Sequence, residues 1–163
     1  MSCYDALTVQ PVRGDAPGRY DYHFWLTMRS HTEKLRVRWV DTDASGRIHY
    51  TAAFRYFETA EWELMRQAGF PLSDHRKISG LPRVNVSATF HAPLYVDEPI
   101  AVTVWVERIG TTSITFAGEI YREEERCVSG AITAVFVDHS DRPQPIPDAI
   151  RQALIGDEDR LGS

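Results

Sequence analysis

The chain has 163 residues, of which 43% are hydrophobic and 25% charged, and these proportions are ordinary for one folded domain. Its formal net charge is −5, from 18 Lys and Arg against 23 Asp and Glu, which argues against a nucleic-acid partner. No apolar run reaches the ~20 residues of a membrane span, so we expect no membrane insertion. The start of the chain lacks a secretory signal, and Cys3 and Cys127 lie outside any CxxC motif. These features predict a cytoplasmic protein with free thiols.

The N-terminal region is predicted to contain an arm followed by two strands. Residues 1–19 hold two Pro and two Gly among polar residues, which predicts a flexible arm. Alternating apolar residues predict an extra strand near 20–28, and a second strand from Leu35 through Val37 to Trp39. A polar segment separates the two strands.

The segment DTDASG, residues 41–46, predicts a loop, and the hydrophobic period changes after it. Apolar residues then recur at spacings of three and four between Thr51 and Ala68, which predicts one long amphipathic helix. This apolar stripe consists of Ala53, Phe57, Ala60, Leu64 and Ala68. Gly69 and Pro71 follow as a stop signal.

The rest of the chain has the pattern of strands joined by short turns. Apolar and polar residues alternate in four runs, at residues 84–90, 100–109, 113–121 and 127–137. A short helix is predicted near 148–155, and residues 156–163 are expected to form a frayed tail. Strands joined by short turns pair antiparallel. We therefore expect an α+β domain in which the long helix packs on one face of an antiparallel sheet.

Chemistry-bearing residues concentrate in the loop before the long helix. The sequence has no GxGxxG, P-loop, GxSxG, SxxK or HExxH motif. The first turn of a helix offers backbone N–H groups that can bind a developing oxyanion. A carboxylate just upstream, such as Asp43, can act as nucleophile or as base for a water molecule. The alternative is structural, since an Asp before a helix is more often a cap or a turn residue.

Three segments resemble the 4-hydroxybenzoyl-CoA thioesterase-like family of hotdog-fold acyl-CoA thioesterases. The first is WVDTDASGRIHYTAAFRYFETAEWELMRQAG, with the family's Asp-x-Asp-x-x-Gly loop at residues 41–46, then an apolar residue and a helix that carries aromatics and a Glu. The second spans residues 81–123 and includes the turn from Pro93 to Asp97. The third is AITAVFVDHSDRPQPIP. Together the resemblance runs from about residue 34 to residue 155.

The resemblance implies an α+β hotdog fold, with an antiparallel sheet of five or more strands wrapped around one long central helix. We expect a single hotdog domain over residues 20–155, which includes the extra strand near 20–28. The resemblance implies homodimers or homotetramers with active sites between subunits. The implied reaction is hydrolysis of acyl-CoA thioesters to free acid and coenzyme A. No metal and no bound cofactor are expected, because coenzyme A is part of the substrate.

The resemblance also assigns residues. Asp43 matches the family's catalytic carboxylate, and Tyr50 falls where a backbone N–H polarises the thioester carbonyl. Asp41 either shares the face of Asp43 or holds the loop through hydrogen bonds to its backbone. Glu58 either orients the site or forms a surface salt bridge, and it is an alternative acid because some hotdog thioesterases carry theirs on the central helix. His49 either contacts substrate or is structural.

Substrate-binding residues are predicted with less support from the motifs. Phe54 either lines an acyl pocket or belongs to the core. Arg83, like Arg47 and Arg122, either binds coenzyme A phosphates or lies on a solvated sheet surface.

Two other functions remain open, and a third is disfavoured by the sequence. The chain could be a non-catalytic acyl-CoA-binding or regulatory hotdog domain, or a thioesterase that acts on acyl carrier protein substrates. A dehydratase or hydratase of the same fold would need a catalytic His in a glycine- and proline-rich motif, which the sequence lacks.

Overall fold

The computed structural model describes residues 28–71 and 80–155. In chain order the elements are β1 (Ser30–Arg36), a 3-10 turn (Trp39–Asp41), α1 (Tyr50–Gln67), β2 (Arg83–Phe90), β3 (Pro99–Ile109), β4 (Ser113–Arg122), β5 (Glu125–Val135) and α2 (Asp148–Leu154). The predicted arm over 1–19, nearly all of the strand near 20–28, and the tail over 156–163 lie outside the described residues.

The five strands form one antiparallel sheet in the order β1-β3-β4-β5-β2. Within the described residues β1 and β2 are therefore the edge strands. Side chains in β3 alternate between buried and half-buried as the sequence pattern predicts, and the buried set is Ile100, Val102, Val104 and Val106. The long helix α1 packs its apolar stripe against this sheet, which confirms the predicted fold class.

The close packing of α1 on the sheet depends on two glycines. Gly118 of β4 pairs with Gly130 of β5, and the ring of Phe57 from α1 lies over both. A Cβ atom at Gly118 would lie 2.7 Å from Cδ1 of Phe57. Hydrogen atoms in place of side chains thus let the helix approach the middle of the sheet.

The helix prediction is confirmed to within one residue at each end, because α1 runs from Tyr50 to Gln67 instead of from Thr51 to Ala68. Gly69 follows at a φ of +91°, a left-handed conformation that ends helices and that glycine adopts without strain. No helix in the described ranges has the length and hydropathy of a membrane-spanning segment.

The prediction for the strand before the loop is wrong in its bounds. The strand begins at Ser30, inside the polar segment, and it ends at Arg36, whereas Trp39 lies in the 3-10 turn with 80% of its surface exposed. The physical reason is the edge position of β1. Among the described strands it pairs only with β3. It is half-buried at every second residue, so its alternation includes polar side chains such as His31 and Glu33.

Candidate active site

A tight loop over residues 42–48 connects the 3-10 turn to α1. Its ends pair in a β-bridge between Thr42 and Ile48. Inside it, the N–H of Asp43 donates to the carbonyl of Arg47 at 2.8 Å, and the N–H of Gly46 donates to the carbonyl of Asp43 at 3.0 Å. Gly46 has a φ of +77°, which accounts for a glycine at this turn. The loop therefore presents Asp43 from a fixed backbone.

The loop is joined to its surroundings by two further backbone hydrogen bonds. The N–H of His49 donates to the carbonyl of Asp41 at 2.8 Å, and the N–H of Ile48 donates to the carbonyl of Leu94 at 2.9 Å. His49 is the N-cap of α1, and its Nδ1 accepts a hydrogen bond from the N–H of Thr51 at 3.4 Å. The helix thus begins at a position set by the loop.

The carboxylate of Asp43 is exposed and held on one side. Its Oδ1 accepts hydrogen bonds from the N–H of Ser45 at 2.7 Å and from the Ser45 hydroxyl at 2.6 Å. These bonds, with smaller contributions from Arg47 and His49, lower the pKa of Asp43 below its ordinary value. The carboxylate is therefore ionised at neutral pH. Because no described residue forms a hydrogen bond with Oδ2, this oxygen is left for a substrate or a water molecule.

Tyr50 is the first residue of α1, so its N–H is one of the first-turn groups with no acceptor inside the helix. The partial positive charge of the helix N-terminus adds to its attraction for an oxyanion. The Tyr50 side chain is exposed, and its ring centroid lies 4.4 Å from that of His49. The loop that carries Asp43 and the backbone N–H of Tyr50 thus lie at the same end of α1.

Asp41 is an anchor beneath the loop, with only 1% of its surface exposed. It accepts hydrogen bonds from Nε of Arg38 at 2.7 Å, Nη2 of Arg55 at 2.6 Å and the hydroxyl of Tyr56 at 3.0 Å. Burial opposes its ionisation, but these three donors outweigh burial, and the pKa of Asp41 lies below its ordinary value. The side chain thus bonds to other side chains, where the sequence suggested hydrogen bonds to the loop backbone.

The side chains of four other residues singled out from the sequence are not partners of the Asp41 and Asp43 carboxylates. Glu58 is exposed on α1, and Phe54 is half-buried against the core. Arg47 is exposed and forms a β-bridge with Tyr95. Arg122 is held by Glu98 and Glu125 in a network of its own.

Glu61 is a carboxylate that the sequence reasoning missed. It has 1% of its surface exposed, its Oε1 accepts a hydrogen bond from Nη2 of Arg83 at 2.5 Å, and burial raises its pKa to about 7. Arg83 also lies over the ring of Trp62, at 5.8 Å from the centroid. The sequence predicted that Arg83 either binds coenzyme A phosphates or lies on a solvated surface. In the structure it is instead paired with a buried carboxylate. The sequence does contain one sign that Glu61 is buried: it falls four residues after Phe57, and therefore on the apolar face of the helix.

These features define a class of protein with a hotdog fold, in which a carboxylate-bearing loop leads into the N-terminus of the central helix. The profile of the thioesterase-like superfamily matches residues 37–154. The chain therefore belongs to the thioesterase-like superfamily, and it is a thioesterase.

Individual relatives agree with this assignment. The chain is 35% identical over 93 residues to a protein of Aquifex aeolicus named "Putative esterase", a match that covers 56% of this chain and 72% of the relative. It is 27% identical to a 1,4-dihydroxy-2-naphthoyl-CoA hydrolase of Synechococcus, over 74% of this chain and 89% of the relative. A crystal structure of a 1,4-dihydroxy-2-naphthoyl-CoA thioesterase from Synechocystis has a TM-score of 0.72, with 77% of this chain and 96% of that chain covered. At 18% identity this last likeness shows the fold alone.

Proposed function

We propose that this thioesterase hydrolyses acyl-CoA thioesters to a free acid and coenzyme A, with Asp43 as its catalytic carboxylate. The observation that carries the proposal is an ionised carboxylate whose Oδ2 has no hydrogen-bond partner among the described residues, on a loop that leads into the first turn of α1. The names of the Synechococcus relatives support coenzyme A as the carrier of the acyl group. The resemblance of the Asp-x-Asp-x-x-Gly loop to that of acyl-CoA thioesterases supports the choice of Asp43.

The chemistry needs a nucleophile and a group that accepts negative charge. With Asp43 as base, a water oxygen attacks the thioester carbonyl carbon while its proton passes to the carboxylate. With Asp43 as nucleophile, Oδ2 attacks that carbon and water later cleaves the resulting anhydride. In both routes the Tyr50 N–H stabilises the oxyanion, the C–S bond breaks, and the leaving thiolate takes up a proton.

The exposed edge of the sheet supports assembly as a homodimer or homotetramer. Strand β2 is an edge strand within the described residues, and it exposes Val84, Val86 and Phe90. Apolar side chains on an open edge favour pairing with a second chain. We keep this assembly, and the cytoplasmic location predicted from the sequence, as parts of the proposal.

Release of free thiol from a panel of thioesters tests the proposed function. The panel contains short, long and aromatic acyl-CoA thioesters, and one acyl group is also presented on an acyl carrier protein. We expect turnover of at least one coenzyme A thioester. Tight binding without turnover would instead favour a non-catalytic acyl-CoA-binding domain. Turnover of the carrier-protein substrate alone would favour a thioesterase that acts on acyl carrier protein substrates.

A further inference from the structure

The turn between β2 and β3, residues 93–98, lies against the loop that leads into α1. We call this segment the β2–β3 turn. The N–H of Ile48 donates to the carbonyl of Leu94 at 2.9 Å, and Arg47 forms an antiparallel β-bridge with Tyr95. The Leu94 side chain is fully buried in the core. The β2–β3 turn therefore supports the second half of the loop, next to the first residue of the helix.

The same turn also contacts the chain that enters the loop. The N–H of Val37 donates to the carbonyl of Glu98 at 2.9 Å, and the N–H of Asp97 donates back to the carbonyl of Val37 at 2.8 Å. Asp97 has a φ of +68°, a left-handed conformation that persists where the surrounding contacts impose it. The β2–β3 turn thus holds the chain on both sides of the loop, and a shift of the turn would displace Asp43 and the Tyr50 N–H.

Arg122, the last residue of β4, fixes the shape of this turn. Its Nη1 donates to the carbonyl of Pro93 at 3.1 Å and to Oε1 of Glu98 at 3.0 Å. Oε2 of Glu98 in turn accepts a hydrogen bond from the N–H of Tyr95 at 2.9 Å. The guanidinium also bonds to Glu125, the first residue of β5. Arg122 therefore ties both ends of the β2–β3 turn to the end of the sheet.

We propose that Arg122 is a positioning residue for hydrolysis, which acts through the β2–β3 turn on Asp43 and on the Tyr50 N–H. This inference rests on the proposed function and deepens it. A displacement of about 1 Å in the reacting groups can lower the rate about 10²-fold, because the attacking group and the oxyanion donor must face the thioester carbonyl together. Loss of positioning lowers kcat, whereas loss of a ligand to the coenzyme A phosphates raises KM.

A matched pair of arginine variants tests the inference on the acyl-CoA thioester that wild type hydrolyses best. Arg122→Met removes the donors to the turn and keeps much of the aliphatic stem. Arg126→Met is the control, since Arg126 forms an ion pair between the same two strands, with Glu119 at 3.0 Å. We expect Arg122→Met to lower kcat about ten- to a hundredfold with KM within about threefold of wild type, and Arg126→Met to retain kcat.

A second pair keeps the test open if Arg122→Met does not fold. Glu98→Gln removes the carboxylate that Arg122 binds inside the turn, and Glu125→Gln makes the same change outside it. We expect Glu98→Gln to lower kcat about three- to tenfold and Glu125→Gln to leave it unchanged. Thermal unfolding of each variant sets a temperature at which all of them are folded, and kcat is compared there.

A wild-type kcat in Arg122→Met and in Glu98→Gln would overturn the inference and leave the proposed function standing. Equal losses in Arg122→Met and Arg126→Met, or in the two glutamine variants, would overturn it as well, because they would follow from the loss of any ion pair at these strands. A rise in KM alone would make Arg122 a ligand of the coenzyme A phosphates instead. Failure of wild type to hydrolyse any thioester would remove the proposed function and the inference together.

Discussion

Asp41 and Asp43 are separated by a single residue, yet their carboxylates lie in opposite surroundings. Asp41 is buried and bound by three side chains. Asp43 is exposed, and the described residues form hydrogen bonds with only one of its two carboxylate oxygens. A buried, fully paired acid stabilises the loop, and an exposed acid with a free oxygen can reach a substrate. Because the sequence shows only Asp-x-Asp, this division of roles could not be assigned from spacing alone.

The buried position of Asp41 predicts a loss of stability on substitution. Asp41→Asn removes the charge that Arg38 and Arg55 share, and we expect it to lower the free energy of unfolding by about 1–3 kcal/mol, since both guanidiniums remain partly hydrated. Asp43→Asn, at an exposed site, should cost far less. Urea unfolding of the two variants checks this, and equal losses would contradict the anchoring role of Asp41.

At the scale of helices and strands, the periodicity of apolar residues predicts an element well when one of its faces is buried. The helical spacing of apolar residues between Thr51 and Ala68 places α1 to within a residue at each end, because a helix against a sheet needs a continuous apolar face. The same reasoning fails at β1, where an edge strand tolerates polar side chains on both faces. It also misses the Glu61–Arg83 pair, since 22 residues separate the two and only the tertiary fold brings them together.

The close contact of α1 with the middle of the sheet predicts that one added methyl group at Gly118 lowers stability. Gly118→Ala puts a Cβ atom 2.7 Å from the ring of Phe57 and 3.2 Å from Cγ1 of Val104, and we expect a loss of about 1–3 kcal/mol in the free energy of unfolding. Phe57→Leu should offset part of that loss when the two are combined. Thermal unfolding of both single variants and the double variant measures this coupling. Strictly additive losses would show that the two residues do not interact.

At the scale of the whole molecule, Glu61 makes the free energy of unfolding depend on pH. Its folded pKa of about 7 lies above the ordinary value of 4.5, so between these values the folded protein holds a proton that the unfolded chain has released. Stability therefore falls as the pH rises from about 4.5 to about 7, by up to about 3 kcal/mol. The low pKa of Asp41 acts in the opposite direction, and only below about pH 4.

The comparison of wild type with Glu61→Gln isolates this effect. Gln carries no charge at either pH, so the variant should lack the decline between pH 4.5 and 7. Denaturant unfolding at several pH values measures both profiles. Parallel profiles for the two proteins would assign the decline to other groups.

Assembly is also a property of the whole molecule, and the edge strand β2 offers a test of it. Val86→Lys adds a charge to the exposed apolar side of this strand, and we expect it to weaken a dimer that forms there. Asn85→Lys is the matched control, because it adds the same charge to the other side of the same strand. Sedimentation of both variants gives the masses. A wild-type monomer would contradict the proposed assembly, and an intact oligomer in Val86→Lys would place the interface elsewhere.

The central claim is that Asp43 performs the chemistry, and kcat/KM of Asp43→Asn for the best thioester of the panel tests it most directly. Asn keeps the shape of the side chain and removes the charge, so we expect a loss of roughly 10²-fold or more, as for a general acid–base group. Asp141→Asn, the same change at an exposed turn outside the loop of Asp43, is the control and should retain full activity. Unchanged hydrolysis by Asp43→Asn would contradict the account, leave Asp43 as a turn residue, and make Glu58 the next carboxylate to replace.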